Sequence, residues 1–278
     1  MAVVAFALIL LLMPLVVLAI VLVGAWMEAR RSEWSFGIGR VLSNTFVGIG
    51  GAPLALIAIS AVVNALPQQV LQGDVAAAGF VRAGVLPANS GVLIGGWSVW
   101  ALVLWPFAQL VMLKLAIDPL NGHRADVREA FVRGLRRAPA AILVSILFTL
   151  AFFVGLMVLV VPGIVLMLTW FVVLPVLGVE DGRMLDSFSR SSTLMKGMRW
   201  RLLLLLLLVG ILWMVIMGLM GALGVAVAGV GTSGGVVVQM IAATLLGTIP
   251  PAMLAAVYHE VRTAKEGAGD HDLEAVFA

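Results

Sequence analysis

RWRLLLLLLLVGILWMVIMGLMGALGVAVA, residues 199–228, decides the fold class. From Leu202 to Ala228 it carries no acid, base or histidine. An α-helix rises about 1.5 Å per residue, so about 20 apolar residues cross the roughly 30 Å hydrocarbon layer of a bilayer. A helix of a soluble domain shows a polar stripe instead, and none can be drawn here. Lys196, Arg199, Trp200 and Arg201 precede the run, which puts cations and an indole at headgroup level and makes Trp200 an expected interfacial anchor.

The rest of the chain repeats the pattern. Of its 278 residues 63% are hydrophobic and 11% charged, with a mean hydropathy of +1.16. A soluble domain is about 45–50% apolar and 25% charged. The expected fold is therefore all-α: a polytopic helical membrane protein of about seven transmembrane helices. The spans fall near 3–26, 46–66, 92–117, 140–160, 163–179, 202–228 and 236–257. The first has no Lys or Arg before it and exceeds a signal-peptide apolar region of about 7–15 residues, so it is expected to be retained. Residues 1–27 then form an amino-terminal extension, 28–264 a six-span domain of three hairpins, and 265–278 a flexible cytoplasmic tail.

Basic residues assign the sides. Arg30 and Arg31 after the first span place the amino terminus outside. The inner segments are then 27–45, 118–139, 180–201 and the tail from Tyr258, and every Lys and Arg except Arg82 lies in or beside them. Hydropathy alone located the spans, so this bias supports their number and direction independently. The arrangement it implies is a multi-pass membrane protein with the carboxyl terminus on the cytoplasmic side. Residues 162–163, Pro-Gly, are expected to turn a tight hairpin between spans four and five.

PVLGVEDGRMLDSFSRSSTLMKGMRWR, residues 175–201, is the densest charged island. At 100° per residue Met184, Leu185, Phe188, Ser191, Ser192 and Met195 share one arc, opposite Arg183, Asp186, Arg190 and Lys196, as in an amphipathic interfacial helix. Asp186 with Arg190, and Glu129 with Arg133, have the spacing of helical ion pairs. VREAFVR at 127–133 and MLDSFSR at 184–190 share an acid, a Phe two later and an Arg four later. With IGRVLSNTF at 38–46 they suggest three units, each an amphipathic segment before a hairpin.

Catalytic patterns are missing. Cysteine is absent, and no Walker loop, G-x-S-x-G or H-E-x-x-H occurs. His123 and His271 lie in polar segments, and His259-Glu260 lacks a second histidine. The spans carry no Asp, Glu, Arg or His near their middles, and Lys114 is placed to snorkel. Asn64, Ser60 and Thr169 are expected to bond between helices. Pro53, Pro106, Pro175 and Pro250-Pro251 are expected to kink apolar runs. No cofactor or metal is expected.

Residues 161–201 contain Pro162, Gly163, Pro175, Glu180, Ser187, Phe188, Arg190, Ser191, Leu194, Gly197 and Trp200, and 258–267 contain Tyr258 and Arg262. With FGIGRVLSNTF at 36–46, these resemble a bacterial family of polytopic proteins related to the membrane domain of glycerophosphoryl diester phosphodiesterases. The resemblance implies a six-span core, to which span one is an extension. The phosphodiesterases keep catalysis in a separate soluble barrel for which this chain has no room.

Three functions remain. The first is a non-enzymatic scaffold or accessory protein whose basic cytoplasmic face meets anionic lipid or a protein partner. The candidate face is Arg128, Arg133, Arg136, Arg137, Arg183, Arg190, Lys196, Arg199 and Arg201. The second is a permease or lipid-handling protein for an apolar or neutral substrate. The third, an embedded enzyme, would need Glu180, Asp181, Asp186 and His123 to converge. Partners expected are anionic membrane lipids, with a protein partner or a second copy of the chain left open; nucleic acid is not expected.

Overall fold

Proline and glycine set the helix boundaries. The computed structural model describes residues 18–30, 36–65, 67, 103–158, 160–180, 182–228 and 233–267, and among these every regular element is helical. They are α1 (18–30), α2 (Ile38–Gly51), α3 (Pro53–Ser60, continued by a π turn over Ala61–Ala65), α4 (Trp105–Leu120) and α5 (Val127–Val158). Then come α6 (Val160–Thr169), α7 (Val173–Val179), α8 (Met184–Met195), α9 (Arg199–Ala228), α10 (Ser233–Leu246) and α11 (Ile249–Glu266).

The expected proline kinks are mostly helix starts. Pro53, Pro106 and Pro250 stand in the first two positions of α3, α4 and α11. There the missing N–H costs nothing and the fixed φ favours the first turn. At Ala52 the backbone leaves the helical region, with φ −149° and ψ 59°, and α2 meets α3 at 91°. The expected span at 46–66 is thus sharply broken over its described residues, at the position where Pro53 was expected to kink it. By contrast Pro139 lies inside α5, which runs unbroken through what was expected as a loop and a span.

Among the described residues four segments are long and apolar enough to cross a membrane: Val127–Met157, Val161–Val179, Arg199–Leu223 and Val237–Glu266, with the bent α2–α3 pair a fifth if it counts as one. Residues 3–17 of span one and 92–102 of span three lie outside the described residues. α5 ends at Val158 and α6 begins at Val160, so Pro162 and Gly163, expected at the turn, lie in the first turn of α6. Gly155 and Gly163 face each other there; a Cβ on Gly155 would lie 2.9 Å from the Gly163 Cα.

The main core surrounds α11. Ala252, Ala255, Ala256, Val257, Tyr258 and Val261 are buried against Val41 of α2, Leu113, Ala116 and Ile117 of α4, and Leu202 and Leu205 of α9. Small residues permit this closeness. On α2, Gly48 faces Ala116, whose carbonyl oxygen would lie 2.8 Å from a Cβ at that position. Away from this core α5 and α9 expose large apolar side chains, among them Phe153, Val154, Met157, Met214 and Leu219. A Cβ added at Gly210, Gly218 or Gly221 of α9 would meet nothing within 4 Å among the described residues.

The three proposed repeat units differ in structure. VREAFVR opens α5 and continues into its apolar run, whereas MLDSFSR lies on α8, which ends at Met195, two residues before Gly197. Gly197 takes φ +83°, a left-handed conformation glycine adopts without penalty, and the chain turns there into α9.

Candidate functional site

Charged side chains gather at one end of the bundle, and helix termini explain most of their positions. The first N–H groups and last C=O groups of every helix lack intrahelical partners, and the ends carry partial positive and negative charge respectively. Acids here meet the starts of helices. Asp126 Oδ1 accepts from the N–H groups of Arg128 (2.8 Å) and Glu129 (3.2 Å) in the first turn of α5. Glu28 of α1 accepts from the Arg201 N–H in the first turn of α9 at 3.0 Å. Glu260 of α11 accepts from the N–H of Gly37, the residue before α2, at 2.9 Å.

Bases meet the ends. Arg133 donates to the last carbonyls of α7, Gly178 at 2.9 Å and Val179 at 2.7 Å, and Arg137 donates to the Gly182 carbonyl at 3.2 Å. Lys265 donates to Thr193 O, in the last turn of α8, at 2.5 Å. These bonds join α1, α2, α5, α7, α8, α9 and α11, so all four segments expected on the inner side come together.

The second ingredient is a set of ion pairs. Glu260, its side chain only 6% exposed, takes Arg40 Nε at 2.7 Å and Nη2 at 2.6 Å. Lys114 Nζ lies 2.5 Å from Asp118 and 3.3 Å from Glu129. Lys114 is thus held in the protein rather than snorkelling, and Asp118, expected in a loop, is buried in the last turn of α4.

Arg190 bridges Glu180 (3.1 Å) and Glu266, and Tyr258 donates its hydroxyl to Glu180 Oε1 at 2.9 Å. Burial disfavours the Arg190 guanidinium, but the Glu266 and Glu180 carboxylates more than offset this and hold its pKa above the ordinary value. Arg262 joins through Glu266 at 3.0 Å. Glu180, Arg190, Tyr258 and Arg262, which carry part of the family resemblance, therefore form one cross-link between the α7–α8 corner and α11.

Several expected roles change accordingly. Arg190 pairs with Glu180 and Glu266 rather than with Asp186, because α8 lies on the protein body. Its buried residues are Ser187, Ser191, Leu194 and Met195, while Leu185 from the expected apolar arc is 66% exposed. The Ser191 hydroxyl donates to Thr169 O at 3.0 Å, and Phe188 packs edge-on against Trp170. Pro175 is buried in α7.

Trp200, expected as a lipid anchor, packs its ring against Gly24 of α1 and is partly exposed. Asn64 and Thr169 bond within their own helices, to Ser60 Oγ and Val165 O, not between helices. His259 and Glu260 form no metal pair: Glu260 is spent on Arg40, and His259 Nδ1 is buried without a hydrogen-bond partner. Among the described residues no cluster of three metal-ligating side chains occurs.

What remains for a ligand is basic. Arg128, Arg136, Arg183 and Lys196 are exposed and make no ion pair among the described residues. A groove of about 700 Å³ runs along the start of α5, lined by Asp126, Arg128, Glu129, Val132, Arg133, Arg136 and Arg137. Beside it a cleft of about 370 Å³ holds Lys114, Asp118, Asn121, His123, Arg124, Glu129 and Arg133. His123 thus stands near Asp118, whereas Glu180 belongs to the Arg190–Tyr258 cross-link and Asp186 is exposed. Asp181 lies outside the described residues. Sequence spacing missed the capping partners, all of which except Asp126 are distant in the chain.

Comparison with models of protein families, with characterised proteins and with solved structures yields no match for this chain.

Proposed function

We propose that the chain is a seven-span, non-enzymatic protein of a bacterial cytoplasmic membrane whose basic inner face holds anionic lipid headgroups and serves as a scaffold or docking face. The groove at the start of α5 carries this reading. Arg133 and Arg137 are fixed by carbonyls of the α7–α8 corner, and Arg128 and Arg136 project beside them into solvent. Four guanidiniums outnumber Asp126 and Glu129, so the groove attracts phosphate-bearing headgroups. The exposed apolar faces of α5 and α9 support membrane embedding, because a monomer in water rarely shows contiguous patches of that kind. The unequal distribution of Lys and Arg supports an outside amino terminus.

A short-chain phosphatidylglycerol should raise the thermal stability of the detergent-solubilised protein more than phosphatidylcholine does, since a ligand stabilises the state it binds. In Arg128→Gln/Arg136→Gln the difference should vanish. Equal shifts from both lipids in the unmodified protein would remove the basis for a headgroup site.

One observation favours a permease or lipid-handling protein as the second reading. The 91° break at Ala52 interrupts an apolar helix, as in transporters whose broken helices line a substrate path.

A further inference from the structure

The start of α5 exposes apolar side chains where lipid does not reach. Residues 138–158 of this helix carry no charge, and at about 1.5 Å per residue they fill the roughly 30 Å hydrocarbon layer. Residues 127–137 continue the same unbroken helix and therefore project from the bilayer. Val127 stands about 16 Å and Phe131 about 10 Å beyond the hydrocarbon, past a headgroup layer of about 5–8 Å; Leu135 borders that layer. A helix tilt of about 20° changes these depths little. Val127, Phe131 and Leu135 recur every fourth residue, and all three are exposed among the described residues, as is Val132 beside them. The other side of this segment is occupied, with Ala130 buried and Gly134 facing Val111 and Phe107 of α4. A lone apolar side chain in water is ordinary, but a stripe about two turns long marks a contact surface. We propose that this stripe is a docking face for another protein, which lays an acidic amphipathic helix along the start of α5. The inference deepens the docking role proposed above and rests on the reading of the chain as membrane-embedded.

Charge selects the occupant. Arg128 lies within the exposed arc and Arg136 at its edge, and both side chains are exposed. The acids of this segment are engaged elsewhere: Asp126 accepts from the first N–H groups of α5, and Glu129 pairs with Lys114. A second copy in the same bilayer, related by a two-fold axis along the membrane normal, would set Arg128 against Arg128 and Arg136 against Arg136. Like charges therefore oppose self-pairing through this face. A helix with carboxylates beside its apolar residues meets both the stripe and the guanidiniums. Its apolar positions would recur three and four residues apart, matching the row that α5 presents.

The test uses the full chain in phosphatidylcholine nanodiscs, and the absence of cysteine allows one bimane label to be placed at a time. On Val127→Cys the label should be quenched by iodide in water and not by lipid brominated on its acyl chains. On Phe153→Cys, exposed within the uncharged stretch, the reverse should hold. Quenching of the Val127→Cys label by brominated chains overturns the proposal, because lipid then covers the face. Failure of brominated chains to quench the Phe153→Cys label overturns the membrane reading beneath it. The binding probe is a synthetic amphipathic helix with Leu on one face and Glu on the other, read by fluorescence anisotropy against empty nanodiscs. It should bind the loaded discs, and its Leu/Lys counterpart should not. Val127→Ser/Leu135→Ser should weaken binding at least about tenfold, and Arg128→Gln/Arg136→Gln about fivefold at low salt. Phe131 stays in place in these variants because its ring packs edge-on against Phe107. Binding no better than to empty discs, equal binding of the acidic and basic helices, or binding unchanged in Val127→Ser/Leu135→Ser overturns the proposal. Tighter binding after deletion of residues 268–278 also overturns it, giving the face to the chain's own Asp270, Asp272 and Glu274.

Discussion

Replacing Glu260 with alanine probes the charged end most directly. The carboxylate is buried and accepts from the Gly37 N–H and from Arg40 Nε and Nη2, tying α11 to the start of α2. A hydrogen bond to a charged group contributes about 1.5–3 kcal/mol, and a buried N–H left unpaired costs about 1–3 kcal/mol. The share of Arg40 must be discounted, because its side chain is 58% exposed and solvent-screened pairs contribute about 0–1 kcal/mol. The expected loss for Glu260→Ala is therefore about 2–4 kcal/mol. Arg40→Ala keeps the bond to Gly37 and admits water to the carboxylate, so it should cost about 1 kcal/mol. Glu260→Gln retains one acceptor oxygen and should fall between the two. Denaturant-induced unfolding in mixed micelles, followed by tryptophan fluorescence, measures all three. A Glu260→Ala variant within about 0.5 kcal/mol of the parent, or an Arg40→Ala variant equally damaged, would refute the reasoning.

The same assay checks three further expectations. Lys114→Met leaves Asp118 buried without its cation and should cost about 3–5 kcal/mol, and adding Asp118→Leu should recover much of the loss, as for other buried pairs replaced whole. Gly48→Ala drives a methyl into the Ala116 carbonyl and should destabilise by about 1–3 kcal/mol, whereas Gly50→Ala, with open space and better helix propensity, should stabilise by up to about 1 kcal/mol. Arg133→Gln removes donors from the end of α7 and should lower stability by about 1–2 kcal/mol. Arg136→Gln should leave stability within about 0.5 kcal/mol and reduce only the shift produced by phosphatidylglycerol.

Local pattern made some features legible. Apolar length located α5, α9 and the α10–α11 segment, because a membrane-crossing helix must be continuous and uncharged wherever its neighbours lie. Proline positions were visible too, but not their effect: Pro250 starts a helix and Pro139 rides inside one, a difference set by which backbone groups the neighbours satisfy. Helical projection placed Ser191 and Met195 of α8 on the buried side but missed Ser187 and Leu194 and wrongly included Leu185. A projection ranks side chains by polarity, whereas Ser187 is buried with its hydroxyl donating to the Arg183 carbonyl.

The candidate site divides the same way. The four segments expected on the inner side meet through hydrogen bonds, yet the division of labour among their basic residues was hidden. Arg133 and Arg136 are three apart on one helix and alike in sequence; one caps α7 and the other faces solvent.

By itself the sequence determined the all-helical class, the apolar segments and the common end for the charges, since each follows from solvation along one stretch of chain. Tertiary structure alone decided that Glu28, Glu260, Arg133 and Lys265 serve the ends of helices remote in sequence. An unpaired N–H or C=O at a helix end declares a need for charge, and only folding brings the residue that meets it.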